Sequence, residues 1–338
     1  MSDEPLYAFY DLQVAPITYD ASWFAVMADL TRRRLGLERV HFVIVPGNKG
    51  GLREERSAYE AVLDADFRRW RLHNVVVPVF TLLPACAGYS VLPSRAAAAR
   101  LRAAAGRRVY PLHYEPALPV AHHHSELLSA ARAGEPVIGV LRSSAQGLRY
   151  VERWLASRLR GRRLVTITLR DYAFMTARNS NLDAWAAFAR RLDPAKYLVV
   201  FVLDTDRTLD PVPSAIENLE VFREPSWNVG LRMALYESSY LNLGVNNGPL
   251  FMCALNACAR LLMFKLVTPS VPQTTEEFIR QLGFEIGGQL PFATPLQRLV
   301  WEDDALEVIE REFNTMVARI ETAEDTEPSL VGSAPPSA

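Results

Sequence analysis

Segments typical of strands alternate with segments typical of helices along this sequence, and that alternation constrains the fold most strongly. In the first half, an apolar face beginning at Trp23 and two later patterns indicate helices between short apolar runs. Strands separated by helices of about ten to fifteen residues predict a parallel sheet covered on both faces. The predicted strands are 6–12, 41–45, 74–83 and 108–112, and the later helices are 58–71 and 94–105.

The second half repeats the alternation of strands and helices, so we expect two α/β units in series. Residues 1–158 form the first predicted domain and residues 159–301 the second. An amphipathic pattern then predicts a helix over 302–321, and residues 322–338, rich in Glu, Thr, Ser and Pro, predict a disordered tail. The strands expected in the second unit are 164–169, 197–203, 241–245 and 263–267, and its helices are 182–192, 228–240 and 249–262.

Charge and cysteine content exclude several classes of function. The 37 basic and 38 acidic side chains leave a net charge of −1, so the overall field that draws proteins to nucleic acid is missing. Cys86, Cys253 and Cys258 lack any CxxC spacing, which argues against a zinc site or a disulfide framework. We therefore expect neither a nucleic-acid partner nor a metal site, and a reducing cytosol as the setting.

The sequence carries no pattern typical of export or of a membrane span. The N-terminal residues are acidic where a signal peptide needs basic ones, and charged or proline residues interrupt the two longest apolar runs, 75–87 and 249–267. We therefore expect a cytoplasmic protein without a transmembrane segment. Peripheral contact with a membrane surface stays open.

Polar residues follow several strands of the second unit, where open α/β sheets bind their ligands. Arginine, asparagine and serine at such positions, beside helix starts with unpaired N–H groups, suit an anion such as a diphosphate. Helix capping and ordinary turn chemistry are the alternative for each of these residues. The set is Arg170, Arg178, Asn179, Ser226, Asn228, Asn246, Asn247 and Gly248.

The order of these segments resembles the donor domain of GT-B glycosyltransferases, in the heptosyltransferase-like and fucosyltransferase-like branches. The resemblance rests on Leu169-Arg170, Arg178-Asn179, the strand ending in Asp204, the helix near Trp227-Asn228, and the stretch 234–249, ALYESSYLNLGVNNGP. It covers roughly residues 160 to 320. It implies two Rossmann-like domains facing a cleft, with a final helix that crosses back to the first domain.

The resemblance also implies a set of site residues. Arg170 and Arg178, with Asn179, would contact the donor diphosphate, while Ser226, Asn228, Asn246, Asn247 and Gly248 would hold phosphate or ribose. Transfer of this kind needs no cofactor or bound metal, because arginines and helix ends stabilise the departing diphosphate. A base is needed for the acceptor hydroxyl. Asp11, at the end of the first strand, is the candidate, and turn capping is its alternative.

Two further motifs admit other interpretations. Asp204-Thr205-Asp206 spells the DxD with which another class of glycosyltransferase holds a metal, although turn formation after a strand explains it equally. His122-His123-His124 cannot converge on one ion as consecutive side chains, so we interpret it as a polar helix entry, one member of which could reach the cleft.

The sequence thus predicts an inverting, metal-independent glycosyltransferase, of hexosyl or heptosyl type, acting in polysaccharide biosynthesis. Its partners would be a nucleotide-diphosphate sugar, as substrate, and a glycan or lipid-linked acceptor. Two alternatives stay open: a non-hydrolysing sugar-nucleotide epimerase, which needs no acceptor, and a catalytically silent protein that binds a sugar nucleotide or assists assembly.

Overall fold

The computed structural model describes residues 4–326, and its first half is built around a four-stranded parallel sheet. The strand order is β3-β2-β1-β4, so the chain crosses over between neighbouring strands through helices. The elements are β1 (Leu6–Asp11), α1 (Ala21–Arg34), β2 (Val40–Val45), α2 (Ser57–Glu60), α3 (Ala65–Arg71), a π-helical turn (Leu72–Val76), α4 (Val77–Thr81), β3 (Cys86–Val91), α5 (Arg95–Ala105), β4 (Val109–Tyr110), α6 (His124–Arg132) and α7 (Ala145–Ala156).

The second half forms a six-stranded parallel sheet with the order β10-β9-β8-β5-β6-β7. The direction of winding reverses between β8 and β5, and such a switch point opens a crevice at the carboxyl ends of the strands. The elements are β5 (Arg163–Thr168), α8 (Leu182–Arg191), β6 (Tyr197–Val202), β7 (Glu220–Val221), α9 (Glu224–Trp227), α10 (Val229–Ser238), β8 (Leu241–Val245), α11 (Gly248–Ala254), β9 (Leu261–Phe264), α12 (Glu276–Gln281), β10 (Gln297–Leu299) and α13 (Leu306–Thr326).

The two halves share one hydrophobic cluster. Trp23 and Phe24 of α1 and Phe80 of α4 belong to the same buried set as Met233 of α10 and Leu250 of α11. Because this cluster crosses from one sheet unit to the other, it fixes the loops at the edges of both sheets relative to each other. Those loops form the cavities described below.

The prediction of two parallel α/β sheets is confirmed, but several of its elements were wrong. Most of the run predicted as the strand 74–83 is helical. The strand prediction failed because most of these side chains are buried, so the run has no periodicity that separates helix from strand. Residues 58–71 form two short helices, α2 and α3. The structure also adds a short strand, β10, that is absent from the predicted set.

The helix predicted over 302–321 is present, but its bounds and its packing differ from the prediction. It runs as α13 over Leu306–Thr326, and its apolar face packs with Trp185 and Phe188 of α8 against the second sheet. Ion pairs from Glu310 to Arg191 and from Glu321 to Arg163 hold it to the same unit. Across the described residues α13 covers the second sheet, so the predicted crossing to the first domain is not seen.

The predicted tail begins inside this helix, since residues 322–326 are helical. Its remainder, 327–338, lies outside the described residues. Among residues 4–326, none of the helices combines the length and hydropathy that a membrane span requires.

Candidate functional site

A cavity of about 230 Å³ lies at the switch point of the second sheet, and we call it the charged cavity. Its walls come from the loop after β5, the turn between β8 and α11, and the loop that precedes α1 in the first half. Four arginines line it, Arg71, Arg170, Arg178 and Arg232, together with two aspartates, Asp20 and Asp204.

Arg170 and Arg178 come from the loop after β5. Arg170 is 6% exposed and organises that loop, because its guanidinium donates to the carbonyl oxygens of Phe174 and Met175 and to the side chain of Asn179. Arg178 donates at 3.3 Å to the carbonyl of Asn246. Burial, and after it the charge of Arg170, lowers the pKa of Arg178 to about 10.

Arg232 and Arg71 reach the charged cavity from opposite halves of the chain. Arg232 of α10 is 1% exposed, and its guanidinium donates to the carbonyl oxygens of Pro225 and Ser226 at 2.6 and 2.9 Å. Arg71 ends α3, and its buried Nε has no hydrogen-bond partner in the described structure. The two helices thus deliver cationic groups that no carboxylate holds in place.

In the described residues, none of these four arginines lies within 4.0 Å of a carboxylate oxygen. Most of the arginines that do form ion pairs lie at the surface, as Arg158 and Arg191 do. A buried charge without a partner is costly to the folded protein. Carboxylates act on these arginines only from beyond ion-pair distance, as Asp204 acts on Arg170 and Arg232, so an anion in the cavity would add the close partner that they lack. The arrangement can therefore bind a group with at least two negative charges, such as a diphosphate.

Asp20 and His124 meet at the rim of the charged cavity. Asp20 directly precedes α1, yet its side chain makes no capping hydrogen bond to that helix. Its Oδ1 lies 3.6 Å from Nε2 of His124, the first residue of α6. Burial raises the pKa of Asp20, but hydrogen bonding and charge from His124, with His122 behind it, outweigh this and bring the pKa to about 2.

The three consecutive histidines have separate roles. The ring of His122 packs between Tyr10 and Phe24, and burial lowers the pKa of His122 to about 4. His123 caps α6 through Ser125, and His124 faces Asp20. The interpretation as a polar helix entry fits His123, and His124 is the member that reaches the cleft.

The aspartates of the DxD sequence differ in their surroundings. The carboxylate of Asp204 accepts the backbone N–H groups of Asp171 and Asp206, which makes it a turn-forming residue as well as a wall of the cavity. Asp206 keeps one buried oxygen without a partner. Burial raises the pKa of Asp206 to about 6 against the opposing charge of Arg71, and the charge of Asp204 adds to the rise.

Two further cavities continue the charged cavity in opposite directions. The outer cavity, of about 220 Å³, shares Arg170 and Asp204 with it and lies over the carboxyl ends of β5 and β6, near Leu203 and Pro213. The apolar cavity, of about 390 Å³, shares Asp20, Arg178 and Gly248 with it and extends towards α12. The three cavities together form a path across the switch point.

The structure brings together four of the residues predicted from the sequence. Arg170, Arg178, Asn247 and Gly248 line the charged cavity, and Asn246 lines the neighbouring apolar cavity. Asn247 caps α11 through Leu250 and keeps a buried Nδ2 without a partner.

The other predicted donor-site residues serve the scaffold. The side chain of Asn179 is held by Arg170 and by the backbone of Tyr172. Ser226 is fully buried, with its carbonyl oxygen accepting from Arg232. Asn228 caps α10 through the N–H of Leu231. The capping alternative therefore accounts for Asn228.

Asp11 does not fit the role of base that the resemblance implied. It is 3% exposed, and both of its oxygens are fully engaged. Arg95 donates to them at 2.8 and 2.9 Å, Tyr114 donates its hydroxyl at 2.7 Å, and the N–H of Gln13 donates at 2.9 Å. A carboxylate held in this way lines none of the three cavities and stabilises the end of β1.

Sequence reasoning missed the cavity residues that lie outside strand ends. Arg232 stands among Met233, Leu235 and Tyr236 on a buried helix, and a cation on an apolar helix was a usable signal. Asp20 was not predicted as a site residue. Arg71 gave no signal, because nothing local shows that α3 points across the cleft.

Comparison with known proteins adds evidence on the fold. No protein-family model matches the sequence, and no curated protein matches it either. The solved structure of ADP-heptose lipopolysaccharide heptosyltransferase II from E. coli is 10% identical, matches 94% of this chain and 100% of its own, and gives a TM-score of 0.56. A family 9 glycosyl transferase from Veillonella parvula is 10% identical over 94% and 99% of the two chains, with a TM-score of 0.46. The first likeness shows that this chain has the GT-B fold.

Proposed function

We propose that this chain is a glycosyltransferase that moves a sugar from a nucleotide-diphosphate donor to an acceptor hydroxyl. The observation that carries the proposal is the group of four arginines around one cavity at the switch point, none of them paired with a carboxylate in the described residues. The shared fold with a heptosyltransferase supports the same reaction class. A diphosphate is the leaving group that such a cavity would stabilise.

The three cavities suggest how a donor would lie. Its diphosphate would occupy the charged cavity, beside Arg178 and Arg232. Its nucleoside would extend into the outer cavity, where open α/β sheets place the nucleoside beside the second strand and where Asp204 offers a carboxylate. The sugar would then lie at the junction with the apolar cavity, next to Asp20 and Gly248.

His124 and Asp20 supply the proton transfer in this proposal. Nε2–H of His124 faces Asp20, which leaves Nδ1 to take the proton of the acceptor hydroxyl. The hydroxyl oxygen forms the new bond to the anomeric carbon, and the bond to the diphosphate breaks with its electron pair on the phosphate oxygen. The arginines hold the charge that develops there. Attack from the side opposite to the leaving group inverts the anomeric carbon.

The experiment is a thermal-shift screen of UDP, GDP, ADP and dTDP sugars, followed by product analysis with and without acceptors, because a ligand that binds only the folded state raises the melting temperature. Transfer or slow hydrolysis of one donor supports the proposal. Conversion of the donor to an epimer without an acceptor would show that the chain is an epimerase. Donor binding without any turnover would show that it is a catalytically silent binding protein.

Arg178→Met provides the sharpest test of the donor site. We expect it to weaken binding of the matching nucleoside diphosphate by about 1.5–3 kcal/mol, the usual range for a hydrogen bond to a charged group, as measured by calorimetry. Arg149→Met is the matched control, since Arg149 is exposed on α7 and contacts Gln146 alone among its hydrogen-bond partners in the described structure. Equal affinity in the two variants would remove Arg178 from the site.

A further inference from the structure

We infer that the acceptor is a compact, apolar ring compound bearing a hydroxyl group, and that it binds in the apolar cavity. This inference rests on the proposed function and names its second substrate. The volume of about 390 Å³ lies within the range of pockets that enclose small organic ligands, which are typically about 300–1,000 Å³.

The reactive groups stand at one end of this cavity. Asp20, His124 and Arg178 line it where it meets the charged cavity, so a hydroxyl placed there would touch both the base and the donor sugar. The apolar cavity therefore adjoins the place that the proposed function gives to the donor sugar. A ligand in the apolar cavity would lie beside the anomeric carbon of the donor sugar, on the side away from the nucleoside.

Most of the remaining wall is aromatic and aliphatic. Of its other polar members, Arg53 donates to Glu55 and to the carbonyl oxygen of Val14, and Asn246 donates to the carbonyl oxygen of Leu266. Phe251, Phe278 and Leu282 line the cavity and are only half-buried, while Leu266 and Phe284 close it from behind. The ring of Phe251 meets that of Phe284 edge to face at 5.9 Å, and both pack on Trp23. Flat aromatic surfaces of this kind favour another ring, by apolar burial and edge-to-face contact.

Few polar groups are free to meet a ligand at this apolar end. The hydroxyl of Thr274 already donates to the carbonyl oxygens of Thr268 and Val271, whereas Gln273 has a buried carboxamide oxygen without a partner. A glycan carries hydroxyl groups around its whole edge, and each one buried without a hydrogen bond costs binding energy. A ring compound with a single, reacting hydroxyl matches this wall better.

The test uses 2-naphthol as the acceptor probe, with binding followed by its own fluorescence and transfer measured with the donor found in the thermal-shift screen. We expect 2-naphthol to bind and to accept the sugar. Phe278→Ala should weaken its binding by roughly tenfold or more, the usual effect of losing a buried aromatic contact, and should leave donor affinity unchanged. Tyr150→Ala is the control, because Tyr150 is 52% exposed on α7.

Leu282→Trp guards against a folding artefact, since it fills the cavity and keeps an apolar side chain at a position that packs on the core. It should also weaken 2-naphthol binding and spare the donor. Transfer to an oligosaccharide or to a polyprenyl phosphate that neither variant impairs would overturn the inference, as would 2-naphthol binding that is absent or equally strong in all variants. Donor binding is measured separately, so a chain that binds 2-naphthol in this cavity but no sugar nucleotide would refute the proposed function and not the ligand class.

Discussion

At the scale of single residues, the site depends on side chains whose charges the fold leaves without close partners. Arg178 and Arg232 are held by carbonyl oxygens, which fix their positions without neutralising them. Asp11 and Arg95 differ from these residues, because they form an ion pair in which each charge has a close partner. In the proposed site, charge without a close partner therefore marks the candidate residues better than residue type or position after a strand does.

Substitution distinguishes His124 from Asp20 as the proposed base. The pKa of Asp20 is about 2, so Asp20 stays ionised from pH 5 to 8 and gives no limb in a pH–rate profile over that range. If His124 takes the proton of the acceptor hydroxyl, His124→Gln should lose roughly 100-fold or more of kcat.

Asp20→Asn tests the positioning role of the aspartate. It should reduce kcat by a similar factor, because the imidazole loses the group that orients it, while the Kd for the donor changes little. A His124→Gln variant that keeps the wild-type kcat would assign the proton transfer elsewhere.

Asp206 should make the protein less stable at alkaline pH. Its folded-state pKa of about 6 lies above its ordinary value of 3.8, mainly because of burial, so the stability contributed by the protonated form is present at low pH and lost as the pH rises through 6. Asp206→Asn should thus melt at a higher temperature than the wild type at pH 8, with the difference vanishing near pH 4.

Asp210→Asn is the control for this effect, since Asp210 lies in the same loop with 49% of its side chain exposed. A lower melting temperature of Asp206→Asn at pH 8 would show that the ionised carboxylate stabilises the fold.

At the scale of elements, the start of α11 is placed by close contact with the loop before α1. A Cβ added at Gly248 would lie 2.7 Å from Cβ of Tyr19, which leaves no room for any side chain. Gly248 therefore lets the turn after β8 approach the first half of the chain. The wall of the charged cavity depends on this approach.

Gly248→Ala should accordingly push the two loops apart. We expect a loss of about 1–3 kcal/mol in the free energy of unfolding, the usual cost of overpacking, together with weaker binding of nucleoside diphosphates. Chemical denaturation and calorimetry would measure both. Gly230→Ala in α10 is the matched control, since the nearest atom to its Cβ is 3.4 Å away and alanine favours helix. Similar effects in both variants would contradict the role assigned to Gly248.

The elements also show how far the sequence alone could lead. Strands with clear flanking turns, such as β5 and β8, were predicted within about a residue, because burial and turn chemistry are local signals. The helix at 77–81 was taken for a strand, since an apolar run has no readable period. The ion pair of Asp11 with Arg95 and the approach of Arg71 to the second half depend on long-range packing, which no local pattern encodes.

At the scale of the whole molecule, both halves draw on one core. Val229, Met233 and Tyr236 of α10 are buried in the cluster that α1 and α4 build. The two predicted domains are thus structurally interdependent, and we expect a single cooperative unfolding transition for the chain.

A fragment of residues 159–326 tests this interdependence. Separated from the first half, it would expose the apolar face of α10 and Leu250 of α11, so it should lack near-UV circular dichroism and bind hydrophobic dyes. The intact chain under the same conditions is the control. A fragment with a sharp melting transition near that of the full chain would show that the halves fold independently.

The unpaired arginines have a consequence for turnover. A nucleoside diphosphate released by glycosyl transfer carries more negative charge than the sugar nucleotide from which it came, and it would remain among the same guanidinium groups. Such a pocket retains its by-product more firmly than its starting material, so the departure of that by-product should limit the cycle. An enzyme of this design would work fastest where a phosphatase continually removes nucleoside diphosphates.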